Sequence, residues 1–217
     1  MRIMNHTDKI IGTSELTRGS QLEQKIHLGF ESQKKFVLTG GPCVGKTTIL
    51  TEIEKYGHIT TVESARYVIE QEQEKEKTFD GYQGVFPWTD YDSYHKKITD
   101  FQLEIEQSHS HHSTLYMDRS LVDNIAYIQL RGMRPTNEYL SLCESAQYDT
   151  IFFLEQLPFY TKDSARTESR EEMLEVHNKI FDVYSMMGYD VVRVPFMEKE
   201  DRARFILDIA DERNYTR

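Results

Sequence analysis

Residues 36–48 read Phe-Val-Leu-Thr-Gly-Gly-Pro-Cys-Val-Gly-Lys-Thr-Thr, and no other stretch restricts the architecture of this chain as strongly. Gly40, Gly45, Lys46 and Thr47 fill the spacing G-x-x-x-x-G-K-[ST], with an apolar run before it and an amphipathic run after it. The pattern predicts a buried strand, a glycine-rich turn and the first turn of a helix. Side chains at positions 40 and 45 would obstruct a backbone that has to wrap closely round an anion. The loop formed by Gly40, Gly41, Pro42, Cys43, Val44, Gly45, Lys46, Thr47 and Thr48 is therefore the candidate cradle for the phosphates of a nucleotide. In such a cradle Lys46 brings a full positive charge to the β- and γ-phosphates. The Thr47 hydroxyl is placed to ligate Mg²⁺.

At 217 residues the chain suits one α/β domain with excursions. Lys and Arg number 26 against 36 Asp and Glu, a formal charge of −10, which disfavours a general nucleic-acid-binding surface but leaves room for a local basic pocket. The two cysteines, Cys43 and Cys143, lie far apart and show no metal-type spacing, as expected in a reduced, cytoplasmic compartment. No apolar run approaches the roughly 20 residues of a membrane span, and the first residues lack an apolar signal core. A soluble intracellular protein is expected.

Residues 1–34 are polar and read as an extension. It is either a flexible arm or a short helix around 15–27 packing on the core or on a second subunit, which leaves a homodimer open. Residues 35–217 read as the nucleotide-binding domain. Strands are expected from Phe36 and at 58–62, 114–118, 150–154 and 190–194. Helices are expected from the loop to about Tyr56, from Ser64 into the charged run 70–77, and at 91–107, 121–131 and 137–146. Two more should end near Met187 and span 199–211. Five strands alternating with helices predict a doubly wound parallel sheet with helices on both faces.

Transfer of a phosphoryl group needs a metal, cations round the migrating group and something to orient the attacking hydroxyl. Asp118 ends a strand, so it should face the same crevice as the loop and hold Mg²⁺ with Thr47. Glu63, at the end of the 58–62 segment, is the candidate base for an acceptor hydroxyl. Arg119 is placed to reach the transferring phosphoryl, and Arg66 to hold part of the acceptor. The loop 78–90 carries Tyr82, Phe86 and Trp88, candidate aromatic walls of an acceptor pocket or fillers of the core edge. Arg166 and Arg170, four apart, would share a face of a helical lid over the triphosphate. The cluster His109, His111 and His112 reads as a polar turn, because no further ligand types stand near it.

Taken together, Gly40 to Thr47, Glu63-Ser64-Ala65-Arg66, Asp118-Arg119-Ser120, the segment around Arg166 to Arg170 and the closing Gly-Tyr-Asp-Val-Val-Arg-Val-Pro resemble the NadR-like AAA domains. That group of P-loop NTPases contains nicotinamide riboside kinase domains and is related to deoxynucleoside and thymidylate kinases. The resemblance implies a sheet order of 2-3-1-4-5, a purine flanked by the backbone near residues 194–196, Glu63 as base and ATP as donor. GTP stays open. It implies a Mg²⁺-dependent kinase acting on a nucleoside-like or other small-metabolite hydroxyl. The rival expectations are a nucleotide-binding switch that turns over slowly or not at all, and a plain NTPase.

Overall fold

The computed structural model describes residues 33–158 and 169–214. The expected helix near 15–27 and Arg166 with most of the lid segment lie outside them. Among the described residues, four strands, β1 (Lys34–Thr39), β2 (Thr114–Asp118), β3 (Thr150–Leu154) and β4 (Val191–Val194), form a parallel sheet in the order β2-β1-β3-β4. Between and after them run α1 (Lys46–Lys55), α2 (Ser64–Thr78), α3 (Tyr91–Ser108), α4 (Leu121–Leu130), α5 (Asn137–Ser145), α6 (Arg170–Met186) and α7 (Lys199–Asn214).

Side chains alternate across a strand, so β1 serves two cores at once. Phe36 and Leu38 join Tyr116, Phe152 and Leu154 under α1 and α7. Val37 joins Leu115, Met117, Ile151 and Phe153 under α4, α5 and α6. Both faces are covered, as a parallel sheet requires. The central strand is bracketed by its two neighbours, and every strand ends at the same edge, where Gly40, Arg119, Glu155 and Pro195 follow β1, β2, β3 and β4.

The expected strand at 58–62 is reduced to one parallel bridge, Thr60 to Tyr116, at the β2 edge. Two backbone bonds are made there, from Thr61 N–H to the Tyr116 carbonyl at 2.9 Å and from Tyr116 N–H to the Ile59 carbonyl at 3.0 Å. The next rung is taken over by a side chain, because the Asp118 N–H donates to Thr61 Oγ1 at 3.2 Å. The chain then turns into α2 at Ser64 before a ladder can extend. With that segment counted as an edge, the order is the one expected, on four strands instead of five.

A smaller core of Val68, Tyr94 and Ile98 joins α2 to α3. Next to it Glu72, only 1% exposed, ties down the 78–90 loop. Its carboxylate accepts from Tyr82 Oη at 2.6 Å, from the Val85 N–H at 3.0 Å, and from Lys75 and Lys97 at 2.9 and 3.1 Å. Burial opposes the charge, yet these donors overcome it and hold the carboxyl at about 2. A folded-state pKa below the ordinary 4.5 gives stability that is fully present above pH 4.5 and is lost as pH falls towards about 2. Glu72→Gln should therefore lose about 1–3 kcal/mol at pH 7, and the gap to wild type in urea unfolding should shrink between pH 4.5 and pH 2.

Candidate functional site

The loop after β1 is shaped by two close approaches. Gly40 has φ of +134°, and a Cβ there would stand 2.8 Å from the Leu154 carbonyl. At Gly41 a Cβ would meet His177 Cβ at 2.8 Å and the Met173 carbonyl at 3.1 Å, so α6 presses directly on the loop. Pro42 and Cys43 make the turn, Cys43 in the left-handed region at φ 63°, and Val44 is buried. Gly45 opens α1 with no side-chain cap, and no acid stands in the first turn. The first N–H groups of α1 are thus left to an outside anion. Thr47 and Thr48 are exposed beside them.

Lys46 is buried and rests its Nζ 3.3 Å from the Gly41 carbonyl. Burial and the neighbouring Arg119 pull its pKa down, against the pull of Glu63, Asp118 and Asp123. A cation held in this way gains strongly from an arriving anion. Thr47 Oγ1 donates to Asp118 Oδ2 at 3.1 Å, while the buried Asp118 Oδ1 has no hydrogen-bond partner. Burial and Glu63 push the Asp118 carboxyl up, opposed by Lys46 and Arg119. A buried, unsatisfied carboxylate oxygen beside a hydroxyl fits the donor set of a hard divalent cation.

Glu63 follows the 58–62 segment at the N-terminus of α2 and accepts from Arg119 Nε at 3.0 Å. Burial opposes its ionisation, but the charges of Arg119 and Lys46, with a smaller share from Arg66, hold its pKa below the usual range. Arg119 follows β2 with φ of 67° and is itself buried. Beyond Glu63 it donates to the Gly40 carbonyl at 3.0 Å and to Asp123 Oδ1 at 2.9 Å. It thereby links the loop, the candidate base and α4 with one planar group.

Four residues that motif reading passed over complete the arrangement. Asp123, fully buried, accepts from Arg119, from Thr39 Oγ1, from the Ser120 N–H at 3.0 Å and from Tyr184 Oη at 2.6 Å. Tyr184, on α6, also shares a 2.7 Å bond with Ser120 Oγ. His177, on the same face of α6 towards its start, accepts the Gly41 N–H on Nδ1 at 3.1 Å. Arg202 on α7 is 2% exposed and donates to the carbonyls of Val44, Glu155, Val194 and Pro195 at 2.9, 2.9, 3.2 and 3.0 Å. Only Asp123 had a local signal, the Ser-x-x-Asp capping box at the start of α4.

The other expected residues stand further out. Arg66 is exposed in the first turn of α2. The Tyr82 hydroxyl is committed to Glu72, and Phe86 is buried at the core edge. Trp88, 68% exposed, stacks on Phe86 with centroids 5.0 Å apart. Its loop is held at Pro87 by Arg131, which donates to that carbonyl at 2.8 Å and covers the Tyr91 ring. Arg170 is the first residue of α6, after the Ser169 cap. The three histidines follow α3 in a turn at the surface, where the tilted rings of His111 and His112 lie with centroids 3.9 Å apart.

Comparison with known proteins places this geometry. The model of a family described as an AAA domain matches residues 35–202. Comparison with curated protein sequences finds no match. Among solved structures, NadR in complex with NR superposes with a TM-score of 0.62 at 15% identity, over 96% of this chain and 62% of the NadR chain. Deoxyadenosine kinase from M. mycoides gives 0.56 at 14%, over 82% and 99% of the two chains. Thymidylate kinase from Candida albicans gives 0.55 at 13%, over 84% and 93%. The fold is that of the P-loop kinases. Among the described residues no helix is long and apolar enough to cross a membrane.

Proposed function

Because the chain belongs to the AAA domain family matched over residues 35–202, we propose that it is a cytoplasmic P-loop phosphotransferase that moves the γ-phosphoryl of ATP to a hydroxyl of a nucleoside-like or other small metabolite. The observation that carries this reading is the carboxylate of Glu63, kept ionised by Arg119 at 3.0 Å and standing within the field of Lys46 and Asp118. A carboxylate ion-paired to a cation beside a phosphate loop suits an acceptor hydroxyl better than bare nucleotide storage. Kinases acting on deoxyadenosine and thymidylate, and the NadR structure holding NR, support the acceptor class by fold alone.

In this reading the N–H groups of residues 43–48 bind the β- and γ-phosphates, with Lys46 between them. Glu63 orients the acceptor hydroxyl and takes its proton as the new O–P bond forms and the bond to the departing ADP breaks. Arg119 positions Glu63 and faces the charge on the moving group, and Arg170, with Arg166, would close on it from outside. Arg66, Tyr82 and Trp88 are assigned to the acceptor side, Trp88 through its open ring face. Thr47 and Asp118 would hold Mg²⁺, which when bound supplies charge neutralisation across the phosphates. We assign the chain from β1 onward, one residue earlier than the expected 35–217, to this domain and the residues before β1 to a polar extension.

The test is incubation with Mg²⁺, ATP or GTP, and a pooled panel of nucleosides, nucleotides and nicotinamide riboside, with acceptor masses read for one added phosphoryl. A gain absent in Lys46→Ala establishes the kinase and its acceptor; tight nucleotide binding with no acceptor gaining mass overturns it in favour of a switch. Glu63→Gln should lower transfer by about 10²–10⁴-fold with ATP affinity held within a few-fold. Equal loss of ATP binding in titration calorimetry would move Glu63 from the acceptor to the phosphates.

A further inference from the structure

Gly41 is tied at both ends. Its carbonyl receives Lys46 Nζ at 3.3 Å, and its N–H is given to His177 Nδ1 at 3.1 Å. An N–H donor requires Nδ1 to be unprotonated, so the ring proton sits on Nε2, which faces Glu155 Oε2 at 3.8 Å. Phe153 packs against the ring at 4.4 Å, and the absent Cβ at Gly41 is what lets His177 come this close. The imidazole therefore replaces a phosphate oxygen as the acceptor for one loop amide.

We propose, resting on the phosphate-site reading above, that His177 is a positioning residue: by accepting the Gly41 amide it fixes the orientation of the Gly40–Gly41 peptide, whose Gly40 carbonyl accepts from Arg119, before a polyphosphate arrives. A protonated ring would put an N–H against an N–H, and the peptide would have to turn away. Preorganisation of this kind lowers the cost of binding without adding a contact to the ligand.

The charged groups facing the ring are Glu155 after β3, Arg193 on β4 and Lys46 on α1. Burial lowers the ring's pKa most, Arg193 and Lys46 lower it further, and Glu155 opposes them, so the net direction is below the ordinary 6.5. The neutral ring is thus the form present at pH 7, and acidification through the ring's lowered pKa removes the acceptor.

The experiment is calorimetric titration of ATP and of GTP, each with Mg²⁺, into the full chain and two variants from pH 8 to pH 5. His177→Asn places an amide oxygen near the Nδ1 position and does not titrate. His177→Leu keeps the volume and removes the acceptor. At pH 8 the Asn variant should bind like wild type and the Leu variant about fivefold to tenfold more weakly. As pH falls, wild type should weaken relative to the Asn variant; protonation of the nucleotide is common to both. Should the Leu variant be poorly folded, the Gly41 amide resonance of wild type should shift as the ring titrates. Parallel pH profiles for wild type and Asn, an unimpaired Leu variant, or a Gly41 resonance that ignores the titration would each overturn the proposal. If wild type binds neither nucleotide, the phosphate-site reading fails and this one with it.

Discussion

Lys46→Ala is expected to lower phosphoryl transfer by about 10³-fold or more and to leave the melting temperature unchanged or raised. The two halves of that result have different causes. Burial is the largest influence on Lys46 and works against its charge, with Arg119 adding to it, so the folded protein without ligand gains little from this cation. The bond it makes to the Gly41 carbonyl is long, at 3.3 Å. Against a triphosphate Arg119 is a poor substitute for the same charge, because Glu63, Gly40 and Asp123 already hold its guanidinium. Steady-state transfer read beside thermal unfolding separates the two. Near-normal turnover in Lys46→Ala would remove the loop from the chemistry, and a large drop in melting temperature would make Lys46 a structural residue.

Asp123→Ala should cost about 3–5 kcal/mol, lowering the melting temperature by about 10 °C. The carboxylate is fully buried and serves four donors from three parts of the chain: Thr39, the adjacent Arg119 and Ser120, and Tyr184. Removing it leaves a buried guanidinium short of one acid and strands a hydroxyl and an amide. Asp123→Asn keeps the volume and two acceptor directions and should cost less. Urea unfolding of the three proteins orders them, and a loss under about 1 kcal/mol for Ala would mean that the network repairs itself with water. Activity should fall with Asp123→Ala as well, since Arg119 would lose one of the contacts that aim it at Glu63.

The sequence spelled out what is local and left out what is distant. The loop 40–48 was legible because its residues act through their own backbone within a few positions of one another. Among the described residues strand and helix positions followed from periodicity, and the single departure there, at 58–62, arose because Thr61 offers a hydroxyl where a carbonyl would have continued the ladder. Glu63 and Asp118 could be placed because strand ends converge. His177 could not, since its partner lies 136 residues away and nothing near it advertises an acceptor. In the stripe Met173, His177, Ile180, Tyr184 the two polar members look like interruptions of a core face, yet each is aimed at a group at the sheet's edge. Arg202 hides in the same way among Ala203, Ile206 and Leu207. The loop 78–90 was read as a wall with candidate aromatics; what fixes it, Glu72, sat inside a charged run that looked uniformly solvated.

Arg202 bears on how the molecule opens. By gathering the carbonyls of Val44, Glu155, Val194 and Pro195 it fastens a surface turn to the last helix and to two strand ends through a single side chain. Turns of this kind ordinarily exchange their amide hydrogens through small local fluctuations, whereas one anchored to the core can exchange only when the core gives way. The first hydrogen-bonded amide of α1, Ile49, which donates to the Gly45 carbonyl at 3.0 Å, should accordingly be protected nearly as well as those of β1, and in Arg202→Met its protection should collapse to that of a frayed helix end while β1 stays slow. The far end of the chain would then govern the rigidity of its nucleotide site without touching the nucleotide.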